Sequence, residues 1–406
     1  MNGCLSNIRV LELGQVLAGP YAGMILGDLG AHVIKVEPPR GGDSARRTPP
    51  HFYKGESIYF MSLNRNKRSI VIDLTEKQGR RVFYDLVKQS DAVVDNLRPG
   101  VLEQFEIDHE ILLKYNPGII SCSINGYGSD TRDRLKPSFD LMVQARGGGM
   151  SLTGMPGGPP LRMGVSISDH VAGIYAVTGI LAALHERART GKGRRIEVSL
   201  FSTMISMLSY EAAFHLYSGE VPGSVGSGHR SLVPYRAVGT GDGYIVIDAH
   251  LPKFWSALCS ALQIEAIEND PRFHTLDARN RNRDELLKIL EGIFSTKTSR
   301  EWLEVLNEKG VPCAPINDLK AALEDEITRA LKMVVDIAHT GVGLTFQAVG
   351  NPIRMMDGGE SRYESPPLLG EHTRAVLKEV AGYGEDEIGM LLRDGIVAAQ
   401  PEAGNK

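Results

Sequence analysis

The chain has 406 residues, of which 42% are hydrophobic and 23% charged, and its formal net charge is −4. This composition is typical of a soluble globular protein, and the slightly acidic balance argues against nucleic acid or an anionic membrane as a partner. The sequence has no uncharged apolar run long enough for a membrane span, and residues 1–9 lack the features of a signal peptide.

Strand-like and helix-like segments alternate over the first 200 residues. Apolar strands separated by helices predict an α/β fold with a mainly parallel sheet covered on both faces. Thr75 is expected to cap the helix that follows the third strand. Six strands are predicted in this part, at residues 8–13, 32–37, 69–74, 92–94, 119–124 and 195–200, with a helix at residues 19–29.

A second unit follows a helix predicted over residues 203–217 and a Gly- and Ser-rich segment, 218–231, that is typical of a linker or mobile loop. We expect a large domain over residues 1–200 and 330–406, a linker over 201–225, and a small α+β domain over 226–329. Within the small domain a strand is predicted at residues 244–248, a short strand or turn at 312–315, and helices at 254–262, 284–294 and 299–308.

The four cysteines stand apart, and no two of them form a C-x-x-C pair. This spacing argues against a disulfide framework and against a thiolate metal site, so a reducing, cytoplasmic setting and no metal are expected. The four residues are Cys4, Cys122, Cys259 and Cys313.

Asp169 is the strongest candidate for chemistry. It lies after a glycine-rich stretch, residues 147–164, and at the start of a long apolar segment that ends at Gly191. Many glycines allow a ligand to approach the backbone closely. A carboxylate in this position fits two roles, a plain helix cap or a covalent nucleophile toward an activated acyl group.

Other enzyme motifs are missing from the sequence. The turn after the first strand, residues 14–20 (GQVLAGP), does not match the dinucleotide-binding pattern G-x-G-x-x-G. Residues 190–193 (TGKG) follow a helix and fit a helix C-cap better than a phosphate loop. Neither the metalloprotease pattern H-E-x-x-H nor the hydrolase pattern G-x-S-x-G occurs.

Two segments offer groups that could bind an anion. Residues 96–100 (NLRPG) follow the fourth predicted strand, and residues 64–68 (NRNKR) precede the third. Ligands of parallel sheets bind at the carboxyl ends of strands, which favours Arg98 as a phosphate ligand. For the 64–68 segment, a phosphate site and a purely structural charge cluster remain equally open.

Taken together, these segments resemble the class III CoA-transferase family, the CaiB–BaiF group. Segment 228–235 is similar to members that move CoA between succinate and another dicarboxylate such as glutarate. The resemblance spans nearly the whole chain and rests on Asp169 and on the segments VLEL (10–13), LAGP (17–20), GDLGA (27–31), VIKVE (33–37), NRNKRSI (64–70), NLRPG (96–100) and TGKG (190–193).

The resemblance implies a large Rossmann-like domain, a smaller domain and an interlocked homodimer. It implies Asp169 as the nucleophile and CoA esters as substrates, with no tightly bound cofactor. Formyl-CoA transferases carry basic residues at the positions of Pro38, Thr75, Gln104 and Pro137, and Arg40 and Lys136 are close enough in sequence to substitute for them. The other residues expected at CoA are Val16, Leu17, Ile72, Asp73, Leu74, Thr75, Asn96, Leu97 and Arg98.

Substrate contacts are expected from a second set of residues. Gly226 and Gly228 would belong to a mobile loop that covers Asp169 and supplies oxyanion donors. Tyr59 and Asp140 would orient the acyl or acceptor group, or else have core and capping roles. His229 and Arg230 would recognise the far carboxylate of a dicarboxylate, or else Arg230 would be an exposed loop arginine with no ligand.

Two other functions remain open for the chain. Acyl-CoA racemases of the family use a histidine–aspartate pair, and the position expected to hold that histidine is Phe139, which cannot exchange a proton. A non-catalytic scaffold that binds CoA esters would need no nucleophile, although a carboxylate is present at Asp169.

Overall fold

The computed structural model describes residues 3–339, 341–356 and 363–400. Among these residues the strands are β1 (Arg9–Glu12), β2 (His32–Glu37), β3 (Phe52–Tyr53), β4 (Glu56–Ser57), β5 (Lys67–Ile72), β6 (Ala92–Asp95), β7 (Ile120–Asn125), β8 (Arg195–Ser199), β9 (Tyr235–Gly239), β10 (Tyr244–Asp248), β11 (Cys313–Pro315), β12 (Val334–His339), β13 (Leu344–Val349) and β14 (Val397–Ala398).

The helices are α1 (Ala18–Asp28), α2 (Ile58–Leu63), α3 (Lys77–Lys88), α4 (Val101–Gln104), α5 (His109–Leu112), α6 (Asp140–Arg146), α7 (Gly149–Leu152), α8 (Ile167–Thr190), α9 (Leu200–Met207), α10 (Ser209–Ser218), α11 (Pro252–Leu262), α12 (Glu265–Glu268), α13 (Leu276–Arg281), α14 (Arg283–Phe294), α15 (Ser299–Glu308), α16 (Leu319–Glu324), α17 (Glu326–Ala330), α18 (Thr373–Glu379) and α19 (Glu385–Arg393). A short 3₁₀ helix covers Ser44–Arg47.

The chain forms two compact units. The larger contains residues 1–149, 162–214 and 329–406, and the smaller contains residues 150–161 and 215–328. Residues 201–214, expected in the linker, thus cluster with the larger unit, and residues 150–161 cluster with the smaller one.

In the described part of the chain, the larger unit is built on a seven-stranded sheet in the order β14-β5-β2-β1-β6-β7-β8. Six strands are parallel to one another, and β14 pairs antiparallel with β5. The mainly parallel sheet is confirmed, but the expected count of six strands is wrong by one. The extra strand has only two residues, Val397 and Ala398, which is too short for an apolar run to predict it.

Helices cover both faces of this sheet. Successive strand residues point to opposite faces, so Val10 packs with Ala22 and Ala176 of α1 and α8, whereas Leu11 packs with Phe83 and Val376 of α3 and α18. The near-continuous apolar strands are therefore buried on both sides, as a parallel sheet requires.

Helix α8 is the central helix of the larger unit. Among the described helices it alone is long and apolar enough to cross a membrane by length and composition, although it contains charged residues. Its residues Ala172, Ala176 and Ile180 are fully buried against α1 and the sheet. This packing explains the apolar residues on one face of α8, whereas Ile174 and Tyr175 of the same helix are exposed.

The smaller unit has a core of its own around the antiparallel sheet β11-β10-β9. Trp255, Leu258, Leu290 and Trp302 from α11, α14 and α15 pack against Ile245 and other buried side chains of this sheet. Two of its predicted elements, β10 and α15, have the bounds that the sequence indicated.

Candidate active site

A cavity of about 450 Å³ lies in the larger unit where β1, β6 and β7 end. β1 and β6 are neighbours, and the chain continues from β1 to β2 on one side and from β6 to β7 on the other. The strand order therefore reverses between β1 and β6, and open α/β sheets bind ligands at such a point.

Asp169 lines this cavity from the first turn of α8. Gly173, one turn later, lets α8 approach α1, because a Cβ there would lie 3.0 Å from the Ala18 carbonyl oxygen. This close packing brings the start of α8 beside the loop that follows β1. The N-cap is Ser166, and the Asp169 carboxylate has no hydrogen-bond partner in the described part of the chain, so it does not cap the helix.

Asp140 stabilises the start of α8 from outside. Its Oδ1 accepts hydrogen bonds from the Ser168 amide (3.0 Å) and hydroxyl (2.5 Å), and its Oδ2 accepts one from Gln144 Nε2 (2.7 Å). Gln144 Oε1 in turn accepts the Met163 amide at 2.9 Å. Both oxygens of the buried Asp140 are thus engaged, which fits the capping role better than a role in orienting an acceptor acid.

The environment of Asp169 favours its neutral form. Burial and, to a smaller extent, the charge of Asp140 together raise the pKa of Asp169 to about 7. Burial also raises the pKa of Tyr59 to about 12, with smaller contributions from the charges of Asp169 and Asp43. Tyr59 is not among the described residues that line the cavity, so its contact with an acyl group stays a prediction.

Three cations line the same cavity, and Asp169 is the single carboxylate in its described lining. Arg98 and Arg134 are exposed, and neither guanidinium has a hydrogen-bond or ion-pair partner among the described residues. Lys136 pairs with Asp133 at 2.8 Å. Unpaired guanidinium groups beside a cavity are suited to phosphate, so this wall can hold a polyanion.

Sequence reasoning missed Arg134. The segment 132–136 (RDRLK) contains three basic residues and could have indicated it. Ser168, which binds Asp140, was missed as well, because a hydrogen bond between residues 28 positions apart has no local sequence pattern. Gln144 lies four residues after Asp140 on α6, and this spacing could have indicated the bond between them.

The residues predicted at CoA divide into two groups. Six of them line the cavity with Asp169, and these are Val16, Leu17, Asn96, Leu97, Arg98 and Lys136. The other five lie outside the cavity lining, so their contact with CoA stays a prediction. These five are Arg40, Ile72, Asp73, Leu74 and Thr75.

The turn after β5 has local roles of its own. Ile72 is buried in the core, and Asp73 accepts hydrogen bonds from the amide (3.0 Å) and hydroxyl of Thr75. The expectation that Thr75 caps the next helix is wrong, because Glu76 holds the N-cap position of α3. The Thr75 hydroxyl instead closes the turn onto Asp73.

The side chain of Asn96 is already in use. Its Oδ1 accepts the Gln15 amide at 2.7 Å, and its Nδ2 donates to the Gln15 carbonyl at 2.8 Å. Asn96 therefore shapes the cavity by holding the loop after β1, and Arg98 is the residue of this segment with a free polar group.

The 64–68 segment is a structural charge cluster, so of the two alternatives the phosphate site is excluded by geometry. Lys67 is buried, and its Nζ donates to Glu12 Oε2, the Pro20 carbonyl and Asn64 Oδ1, all at 2.8 Å. Arg65 forms a two-pronged pair with Asp28 at 2.9 and 2.7 Å. None of these groups is left to bind a ligand.

The residues predicted at the substrate loop lie in the smaller unit. Gly226 and Gly228 line a separate cavity of about 210 Å³, and Gly226 has a φ of 65°, which glycine adopts readily. His229 Nδ1 accepts the amides of Ser231 and Leu232 at 3.1 and 3.2 Å, and Arg230 donates to the Gly223 carbonyl at 2.9 Å. Their role toward a substrate stays a prediction.

Comparisons with known proteins show the family of the chain. The sequence profile described as CoA-transferase family III matches residues 5–373. Succinyl-CoA:glutarate CoA-transferase of Mus musculus is 38% identical over 97% of this chain and 90% of its own. Succinyl-CoA:mesaconate CoA-transferase of Haloarcula hispanica is 36% identical over 94% of this chain and 97% of its own.

A solved structure shows the same fold. The crystal structure of a CaiB/BaiF family protein from Brucella suis superposes with a TM-score of 0.83 at 35% identity, covering 94% of this chain and 100% of that one.

Proposed function

The chain belongs to CoA-transferase family III, and we propose that it moves CoA from succinyl-CoA to a second dicarboxylic acid through a covalent intermediate on Asp169. The observation that carries this proposal is the Asp169 carboxylate, which lines the cavity with no hydrogen-bond partner among the described residues. The two curated relatives support the substrate class, because their names pair succinyl-CoA with glutarate or mesaconate.

The reaction begins with attack of the ionised Asp169 on the thioester carbonyl. CoA thiolate leaves, and a mixed anhydride joins the aspartyl and succinyl groups. The thiolate then attacks the aspartyl carbonyl, which releases succinate and leaves an aspartyl-CoA thioester. The acceptor carboxylate attacks this thioester to form a new anhydride, and the released thiolate takes the new acyl group and frees Asp169.

The cations of the cavity are proposed to hold the CoA phosphates. Arg98 and Arg134 are unpaired in the described structure and lie on the same lining as Asp169, and Lys136 extends this charge. Phosphate pairs strongly with guanidinium groups, so these residues would fix the nucleotide end and leave the thioester free to reach Asp169.

The acid is proposed to contact the smaller unit. The glycine loop at Gly226 and Gly228 would supply backbone N–H groups for the oxyanion, each contributing about 3 kcal/mol to the barrier reduction, and would exclude water from the anhydride. His229 and Arg230 would meet the distal carboxylate, with Tyr59 hydrogen-bonding the acyl group.

The two compact units are proposed to be separate domains of an interlocked homodimer in the cytoplasm. Large apolar side chains on α8, α9 and α10 support an interface, since Ile174, Tyr175, Ile205, Tyr210 and Phe214 are exposed. All four cysteines are free thiols, which suits a reducing compartment. Gel filtration should give about twice the 44.3 kDa of one chain, and a monomer would contradict the dimer.

A racemase lacks support at this site. The described residues that line the cavity include no histidine, and Phe139 stands on its wall. Proton exchange at the α-carbon of a thioester needs a titratable base beside Asp169, and a phenyl ring cannot provide one.

Trapping the intermediate tests the proposal. Enzyme incubated with succinyl-CoA and then hydroxylamine should carry a hydroxamate on Asp169, found by peptide mass spectrometry. Isotope exchange between labelled succinate and succinyl-CoA should proceed without an acceptor. Transfer activity without any adduct on Asp169, or no exchange at all, as a CoA-binding scaffold would show, would contradict the proposal.

A further inference from the structure

We propose that a buried charge network centred on Glu12 presets the loop that receives CoA, so that Lys35, Asp43 and Lys67 act as positioning residues for CoA binding. The loop is residues 13–17, between β1 and α1, and its residues Gln15, Val16 and Leu17 line the cavity with Asp169. The inference rests on the proposed binding of CoA in that cavity.

The network contains two anions and two cations. Glu12 Oε1 accepts from Lys35 Nζ at 2.9 Å, and Glu12 Oε2 accepts from Lys67 Nζ at 2.8 Å. Lys35 also lies 3.0 Å from Asp43 Oδ2. The side chains of these four residues are fully buried, and their charges balance, which is the condition under which ions persist in an interior.

Each arm of the network binds the backbone of the loop or of the helix turn that follows it. Lys35 Nζ donates to the Gly14 carbonyl at 2.7 Å, and Lys67 Nζ donates to the Pro20 carbonyl at 2.8 Å. Asp43 Oδ1 accepts the Val16 amide at 3.0 Å. Asn96 binds the backbone amide and the backbone carbonyl of Gln15. Together, these contacts fix five backbone groups between residues 14 and 20.

Glycines make room for the buried carboxylate. A Cβ at Gly14 would lie 2.8 Å from Glu12 Oε1, and a Cβ at Gly23 would lie 3.0 Å from Glu12 Oε2. Gly19 packs on Gly14, where a Cβ would meet the Gly14 Cα at 2.8 Å. The glycines of the first strand-to-helix turn therefore serve the network rather than a dinucleotide.

The backbone conformation of Val16 indicates that surrounding contacts impose the conformation of the loop. Its φ is 66°, in the left-handed region that a β-branched residue rarely occupies. Such a conformation persists only where surrounding contacts over-determine it, and here the Asp43 carboxylate holds the Val16 amide. The strained residue lies on the cavity wall, so its geometry is available to the ligand.

A loop that is already held in its binding conformation should affect the KM of only one of the two substrates. CoA would bind without reordering the backbone, which lowers the KM for the CoA ester, while the acid would be unaffected. General destabilisation would affect both substrates alike, so the two KM values separate positioning from a merely structural role.

The test compares Asp43→Ala with Asp43→Asn in the full chain, using succinyl-CoA and glutarate. Asp43→Ala should raise the KM for succinyl-CoA at least tenfold and leave the KM for glutarate within twofold. Asp43→Asn, which keeps an oxygen for the Val16 amide, should recover most of this loss. Arg65→Met is the control, because it breaks a buried pair, 2.7 Å from Asp28, that does not touch the loop.

The proposal is overturned if Asp43→Ala keeps the wild-type KM for succinyl-CoA, if both KM values rise together, or if Arg65→Met gives the same split. Should Asp43→Ala fail to fold, Val16→Gly relaxes the loop without touching the network. It should raise the KM for succinyl-CoA at least threefold with an unchanged or higher Tm, and an unchanged KM overturns the proposal. Wild-type enzyme that does not transfer CoA at all would instead contradict the proposed function.

Discussion

Two carboxylates of the larger unit, Glu12 and Asp169, have opposite surroundings. Glu12 is fully buried and bonded to a lysine on each oxygen. Asp169 reaches the cavity with no hydrogen-bond partner in the described structure, and its pKa is raised to about 7. The difference indicates that a buried carboxylate with a partner on each oxygen has a structural role, whereas a carboxylate without a partner remains able to react.

The same division runs through the cations. Lys35, Lys67 and Arg65 have their donors occupied by buried acceptors, whereas Arg98 and Arg134 have no described partner and face the cavity. Substitutions of the paired groups and of the unpaired groups should therefore have different effects. Loss of a paired group should show in the free energy of unfolding, and loss of an unpaired one in kinetics.

The largest effect is expected from Asp169→Asn. The amide has the same size but no nucleophilic charge, so kcat should fall at least about a thousandfold while CoA binding stays within twofold. Steady-state turnover and calorimetric titration with CoA would measure the two quantities. Asp386→Asn, an exposed carboxylate in the first turn of α19, is the matched control and should keep full activity. A kcat of Asp169→Asn within tenfold of the wild-type value would contradict the role of Asp169 as the reactive carboxylate.

Glu12→Gln should have the next largest effect, and it should be on stability. It removes the buried carboxylate that pairs with Lys67 and leaves Lys35 with Asp43, which should lower the free energy of unfolding by about 3 kcal/mol or more. Urea unfolding of the larger unit measures this loss. Glu385→Gln removes an exposed partner of Lys378 at 2.9 Å and should change stability little. Equal losses in the two variants would show that burial does not matter.

Arg134→Ala and Arg98→Ala should each raise the KM for succinyl-CoA roughly tenfold, since a hydrogen bond to a charged group contributes about 1.5 kcal/mol. The melting temperature should not change, because neither side chain has a described partner to lose. Arg40→Ala sharpens the test. An unchanged KM would limit CoA to the cavity lining, whereas an increase equal to that of Arg134→Ala would support the prediction from family resemblance.

The smallest effect concerns pH. The nucleophile acts as the anion, and its pKa is raised, so kcat/KM should fall as the pH decreases through about 7. Asp140→Asn removes the second cause of the rise and leaves burial, the larger cause. The acid limb should therefore move to lower pH by less than one unit. A pH–rate profile of both enzymes measures it, and a shift to higher pH would contradict the assigned cause.

Local pattern predicted the elements well where periodicity was strong. The predicted strand at residues 32–37 and the helix at 299–308 have the observed bounds, because apolar spacing and a capping box define them within one segment. Asp169 was identified from its place between a glycine-rich stretch and an apolar helix, and it does line the cavity. The family was recognised from motifs in order along the chain, and the profile match confirms it.

The features that could not be predicted from the sequence depend on contacts between residues that lie far apart in the chain. Lys67 meets Glu12 across 55 positions, and the order β5-β2-β1 that brings them together is not encoded in either segment. The same holds for Asp140 and Ser168 and for the pairing of β14 with β5. The local sequence pattern of the basic segment 64–68 is therefore the same for a phosphate site and for a buried structural charge cluster.

The edge strand β14 has a consequence for biosynthesis. Val397 and Ala398 pair with β5, and the Thr373 hydroxyl joins the Val71 amide to the Ala398 carbonyl. The chain leaves the larger unit after residue 214 and returns at residue 329, so a ribosome must make the whole inserted unit before the sheet can close. Until then the outer side of β5 is an open template for another strand, and nascent chains halted before residue 397 should be prone to aggregate.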